Sequence, residues 1–62
     1  QRAYNAAMTL MLDQNIQQNI YNAIGTTEYY APNIVAYDNL GFIFKVVSNI
    51  DPNKYVEIRV DV

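Results

Sequence analysis

A chain of 62 residues holds one small domain at most, and with no cysteine and no histidine it lacks disulfides, thiolate metal sites and the commonest acid–base side chain. Four scattered cations, Arg2, Lys45, Lys54 and Arg59, face six carboxylates for a net charge of −2, so no basic stripe exists to neutralise a nucleic-acid backbone. No apolar run reaches the roughly 18 residues of a membrane span, and polarity comes chiefly from eight Asn and four Gln, with charged residues at only 16%.

Such a domain buries about 60% of the surface its unfolded chain exposes, so folding alone is marginal. The expected support is association, with copies of itself or with a larger assembly. The start at Gln1 in place of Met adds the expectation of a processed or excised piece.

In chain order, residues 2–24 are rich in Ala, Leu, Met and Gln, contain no Pro or Gly, and are followed by the stop signal Gly25, which predicts a helix. Its apolar stripe changes sides near Asp13. Tyr4, Ala7, Met8 and Met11 share one face; Leu12, Ile16, Ile20, Ala23 and Ile24 lie nearly opposite. Either Asp13 caps a second helix with a new direction, or one continuous helix meets different partners along its two halves.

"GTTEYYAPN" at 25–33 is a loop, with Ala31 held extended by Pro32. A short β-like run follows at 34–37, then the turn "DNLG" at 38–41. "FIFKVVS" at 42–48 is the strongest strand; Phe42, Phe44 and Val46 oppose Ile43, Lys45 and Val47, and two apolar faces predict a central strand covered on both sides. After the turn-rich "NIDPNK", residues 55–62 alternate apolar Val56, Ile58, Val60 and Val62 with Tyr55, Glu57, Arg59 and Asp61. The resulting fold class is α+β: an N-terminal helix packed on a small three-stranded antiparallel β-meander, with 42–48 in the middle and the Leu12–Ile24 stripe covering one sheet face.

Chemistry is poorly supplied. Thr26, Thr27 and Ser48 have no adjacent base, and no glycine-rich phosphate loop exists. Glu57 and Asp61 share a strand face, but Arg59 between them predicts an ion-paired ladder in place of a carboxylate pair. Asp38, Asn39, Asp51 and Asn53 do not match calcium-loop spacing and read as turn residues. No cofactor, no metal and no enzymatic activity are expected.

What remains is strand edge. Segment 55–62 ends the sequence and offers unpaired N–H and C=O groups to a neighbouring chain, unless Glu57, Arg59 and Asp61 act as guards. Tyr29, Tyr30, Tyr37 and Tyr55 are candidates for an exposed aromatic patch, though a packed loop–sheet contact explains them as well.

The helix "IQQNIYNAI" (16–24), the segment "YYAPNI" (29–34) and the closing "YVEIRVDV" (55–62) resemble, in order, the C-terminal part of the lysozyme-like baseplate wedge family of contractile phage tails and related injection systems. This sequence departs from that pattern at Ala31-Pro32-Asn33, where the family has Glu-Pro-Arg. The resemblance implies a non-enzymatic structural protein located in a virion, whose closing strand is extended by a partner. It assigns assembly to Tyr55, Val56, Glu57, Ile58, Arg59, Val60, Asp61 and Val62, with Pro32 and Ile34 shaping the preceding loop.

The expected function is therefore a structural protein working by strand addition and hydrophobic docking, with protein partners or its own copies and neither nucleic acid nor membrane. The competing expectation is a small binding module that caps one partner through Tyr29, Tyr30 and the 38–41 turn.

Overall fold

The computed structural model describes residues 2–61 and has an α+β fold. Two helices, α1 (Arg2–Leu10) and α2 (Gln14–Ile24), precede three strands, β1 (Asn33–Asp38), β2 (Gly41–Val47) and β3 (Tyr55–Asp61). The strands form an antiparallel meander in the order β1-β2-β3. Val62, assigned to the last strand from the sequence, lies outside the described residues.

Asp13 resolves the alternative over the helix: the expected single span 2–24 is two helices. Its backbone is extended (φ −75°, ψ 126°), and its carboxylate accepts from the N–H groups of Asn15 at 2.8 Å and Ile16 at 3.2 Å. Those are the donors at the start of α2 that have no partner within the helix. On the other side of the corner, the Gln17 side-chain amide donates to the Met11 carbonyl at 2.7 Å. One residue opens α2 and another closes α1. Gly25 ends α2 in the left-handed conformation (φ 76°), donating to the Tyr21 carbonyl at 2.8 Å.

The corner also corrects the apolar stripes. Leu12 lies in the turn before the cap, out of phase with α2, and is 78% exposed. Ile16, Ile20 and Ile24 face the sheet, and Ala23 does not. In α1 the inward lines are Ala3–Ala7–Met11 and Ala6–Leu10, which leaves Tyr4 and Met8 partly exposed. Small side chains on α1 let its backbone come close to the sheet.

Both helices lie on one face. Ala7, Met11, Ile20 and Ile24 close over Phe42, Phe44 and Val46, and Val56, Ile58 and Val60 of β3 complete the layer. The shortest dimension of the molecule is 16 Å, room for two layers and no third. The expected cover on both sides of β2 is therefore corrected: Ile43, Lys45 and Val47 sit half-buried on an open face.

The β1–β2 turn is held by a side chain. Two-residue hairpin turns commonly need positive φ, and no non-glycine residue among those described has it. Instead the Asp38 carboxylate accepts from the N–H groups of Leu40 at 2.8 Å and Gly41 at 3.1 Å. A register shift between Ile34 and Ala36 bulges β1 at Val35. It puts Ile34 and Tyr37, opposite Phe44 and Phe42, on the helix side.

Candidate functional site

The pairing of β2 with β3 fixes which backbone groups of β3 look outward. The Ser48 N–H donates to the Lys54 carbonyl at 2.9 Å, and the register then runs without interruption from Val47 opposite Tyr55 to Gly41 opposite Asp61. Antiparallel pairs alternate between bonded and non-bonded positions. Val56, Ile58 and Val60 thus spend their backbone groups on β2, while Tyr55, Glu57, Arg59 and Asp61 direct theirs to the outer edge. Among the described residues no strand pairs with that edge.

The edge of β1 is different. It is interrupted by the bulge at Val35 and preceded by Pro32, two features that spoil a template for another strand. β3 has neither. The regular edge is that of β3, over Tyr55–Asp61.

The open sheet face is built of rows read from the register. Val47 lies opposite Tyr55 and its carbonyl accepts from the Tyr30 N–H at 2.9 Å, so Tyr30, Val47 and Tyr55 line up at one end. Asn33, Lys45 and Glu57 form the next row, then Ala36, Ile43 and Arg59. Asp38, Gly41 and Asp61 close the other end. The Lys45 ammonium sits 4.2 Å from the centre of the Tyr55 ring, a cation–π contact.

The charged ladder differs from expectation in one partner. Arg59 donates to Asp61 at 3.0 Å and to Asp38 at 3.1 Å; among the described residues no ion pair involves Glu57. Hydrogen bonds from the Leu40 N–H first, and then from Arg59, hold the Asp38 carboxyl below its ordinary 3.8. The same two aspartates raise the Arg59 guanidinium above its usual range.

The tyrosines do not form one patch. Tyr29 turns inward, bridged to Ser48, with its ring 6.1 Å from that of Tyr21. Burial, and then the Tyr21 hydroxyl, raise its phenol above 10.0. Tyr30 and Tyr55 share the open face, whereas Tyr37 is on the helix side at the far end. Pro32 is buried in the loop before β1, and Ile34 lies within β1, packed against the core. Tyr29–Tyr30 and the 38–41 turn lie at opposite ends of β2, roughly 20 Å apart at about 3.3 Å per residue.

Ser48, read from the sequence only as a hydroxyl without a base, is 1% exposed and organises the β2–β3 connection. Its oxygen accepts from the N–H groups of Ile50 and Asp51, both at 3.1 Å. A depression of about 450 Å³ between α1 and the β1–β2 turn is lined by Arg2, Ala3, Ala6, Tyr37 and Phe42; its one carboxylate, Asp38, is already committed to Arg59. Among the described residues no three carboxylates gather where they could hold a metal ion, and no helix is long and apolar enough to cross a membrane.

Comparison with protein-family models, curated proteins and solved structures gives no match for this chain.

Proposed function

We propose that this chain is a non-enzymatic structural protein of a larger assembly, most concretely a virion or contractile-tail component, which associates by strand addition at β3 and by docking on its open sheet face. The observation that carries the reading is the uninterrupted outer edge of β3, beside a sheet face that leaves Ile43 and Val47 half-covered. Main-chain groups on such an edge supply affinity, and the alternate side chains supply register. The low charge and the single helical layer support the same reading, because a small two-layer domain gains stability from whatever covers it. The virion setting rests on the resemblance of residues 16–62 alone.

Light scattering on the purified chain at micromolar concentration tests it, together with hydrogen exchange and the variant Glu57→Pro. The Glu57 N–H faces outward, so proline there removes an edge donor and leaves the β2–β3 ladder intact. Expected are a mass above that of the monomer, slowed exchange at the Tyr55, Glu57 and Arg59 amides, and reversion to monomer in Glu57→Pro. A stable monomer with a cooperative melt, or association indifferent to Glu57→Pro, overturns strand addition.

A further inference from the structure

Resting on that reading, we infer that the occupant of the β3 edge is a second copy of β3, paired antiparallel about a two-fold axis through Ile58. The argument is charge and apolar complementarity in one register. With Ile58 opposite its own copy, Glu57 faces Arg59 of the second copy and Arg59 faces Glu57, so two opposite-charge pairs form on the open face. On the helix side Val56 meets Val60 of the second copy. Ile58 meets its own copy, and at the ends Tyr55 faces Asp61.

No neighbouring register does this. Centring on Glu57 sets Glu57 against Glu57; centring on Arg59 sets Arg59 against Arg59 and Glu57 against Asp61. Like charges directly opposite are destabilising. A one-residue slip carries Val56, Ile58 and Val60 to the wrong face. The centred register also satisfies the backbone, because Glu57 and Arg59 are among the residues whose N–H and C=O point outward, and they become the hydrogen-bonded pair.

The surroundings admit the second copy. α2, which packs over the β3 side of the helix layer, carries no charged side chain in its sequence QNIQQNIYNAI. Two such helices approach across the seam without repulsion, and the product is a continuous six-stranded sheet with all helices on one face. Glu57 is without an ion pair among the described residues, and the Arg59 contacts are exposed, so both side chains are free to reorient. Edge charges that guard against pairing repel their own kind; here they alternate in sign.

The test uses single cysteines in a chain that has none of its own. In the centred register Ile58 is a non-hydrogen-bonded pair with Cα atoms about 4.5 Å apart, within disulfide reach. Ile58→Cys is expected to form a covalent dimer under mild oxidation, and Val56→Cys, facing Val60, is expected to associate without forming a cross-link. Glu57→Arg is expected to weaken self-association roughly tenfold or more, by turning two attractive pairs into repulsive ones. Mixing Glu57→Arg with Arg59→Glu, each checked by its melt, is expected to restore a dimer of one of each. Glu57→Arg that associates like wild type, or Ile58→Cys that does not cross-link, overturns the inference. If in that case the edge amides are still protected in the associated chain, strand addition stands and only the second copy falls.

Discussion

The Arg59 guanidinium of β3 meets the Asp38 carboxylate of β1 at 3.1 Å, across the full width of the central strand. The two residues are not sheet neighbours; β2 lies between them. Gly41 is the residue of β2 paired with both Asp38 and Asp61, so the three strands meet in one row there.

Replacement of Gly41 by alanine follows as the first prediction. A Cβ built there overlaps the Val60 carbonyl oxygen and lies 2.9 Å from the Asp61 Cα, so the obstruction is backbone and cannot turn aside. Gly41→Ala is expected to cost about 3 kcal/mol, at the upper end of overpacking changes, through separation of β2 from β3 at that end. Urea unfolding followed by circular dichroism checks it.

Acid should weaken the same corner. The Asp38 carboxyl titrates below 3.8 in the folded chain, because the Leu40 N–H and then Arg59 favour its charged form. An acid whose folded-state value is depressed contributes stability that is complete above the unfolded value, about 3.9, and is lost as pH falls through the folded one. The melting temperature of wild type is therefore expected to fall below about pH 4. In Asp38→Asn, which keeps an oxygen for the turn but has no charge to lose, the acid limb flattens. An NMR titration placing Asp38 at or above 3.8 would contradict this account.

The helix corner yields a third prediction. Asp13→Ala removes the acceptor of the Asn15 and Ile16 N–H groups and is expected to cost about 1 kcal/mol, the usual value of an N-cap. Gln17→Ala, which frees the part-buried Met11 carbonyl, is expected to cost a similar amount, about 1 kcal/mol. The two residues hold one corner, so the double variant should fall short of the sum of the singles. Full additivity in a denaturant series would show that the corner is not a unit.

How far the sequence discloses this fold depends on the range of the cause. The closing strand is legible because Val56, Ile58 and Val60 alternate with polar residues, a purely local signal that the register preserves. β1 is legible as a short strand at 34–37 but its facing is not, because the bulge at Val35 puts Ile34 and Tyr37 on one face and so breaks the period of two. Asp13 leaves two arrangements open, since Ala, Leu and Gln favour helix on both sides of it and only the corner contacts decide. Of the candidate site, the β3 edge and the half-apolar face of β2 are readable from 42–48 and 55–62. The Arg59–Asp38 pair spans 21 residues of sequence and needs the three strands in place before it exists.

Leu12 and Ile20 provide the sharpest contrast, because a continuous helical stripe gives them equal weight. Ile20 is 0% exposed beneath β2, and Leu12 is 78% exposed in the corner before the cap. Ile20→Ala is expected to cost about 2–5 kcal/mol, which in a domain of this size approaches the whole stability. Leu12→Ala is expected to change the stability of the monomer by less than about 0.5 kcal/mol, as exposed positions do. Thermal and urea melts of the two variants, run below the association concentration, measure both. Comparable losses would mean that α1 and α2 are one helix in solution; a large gap would mean that Asp13 sets the fold by redirecting the chain before Ile16 enters the core.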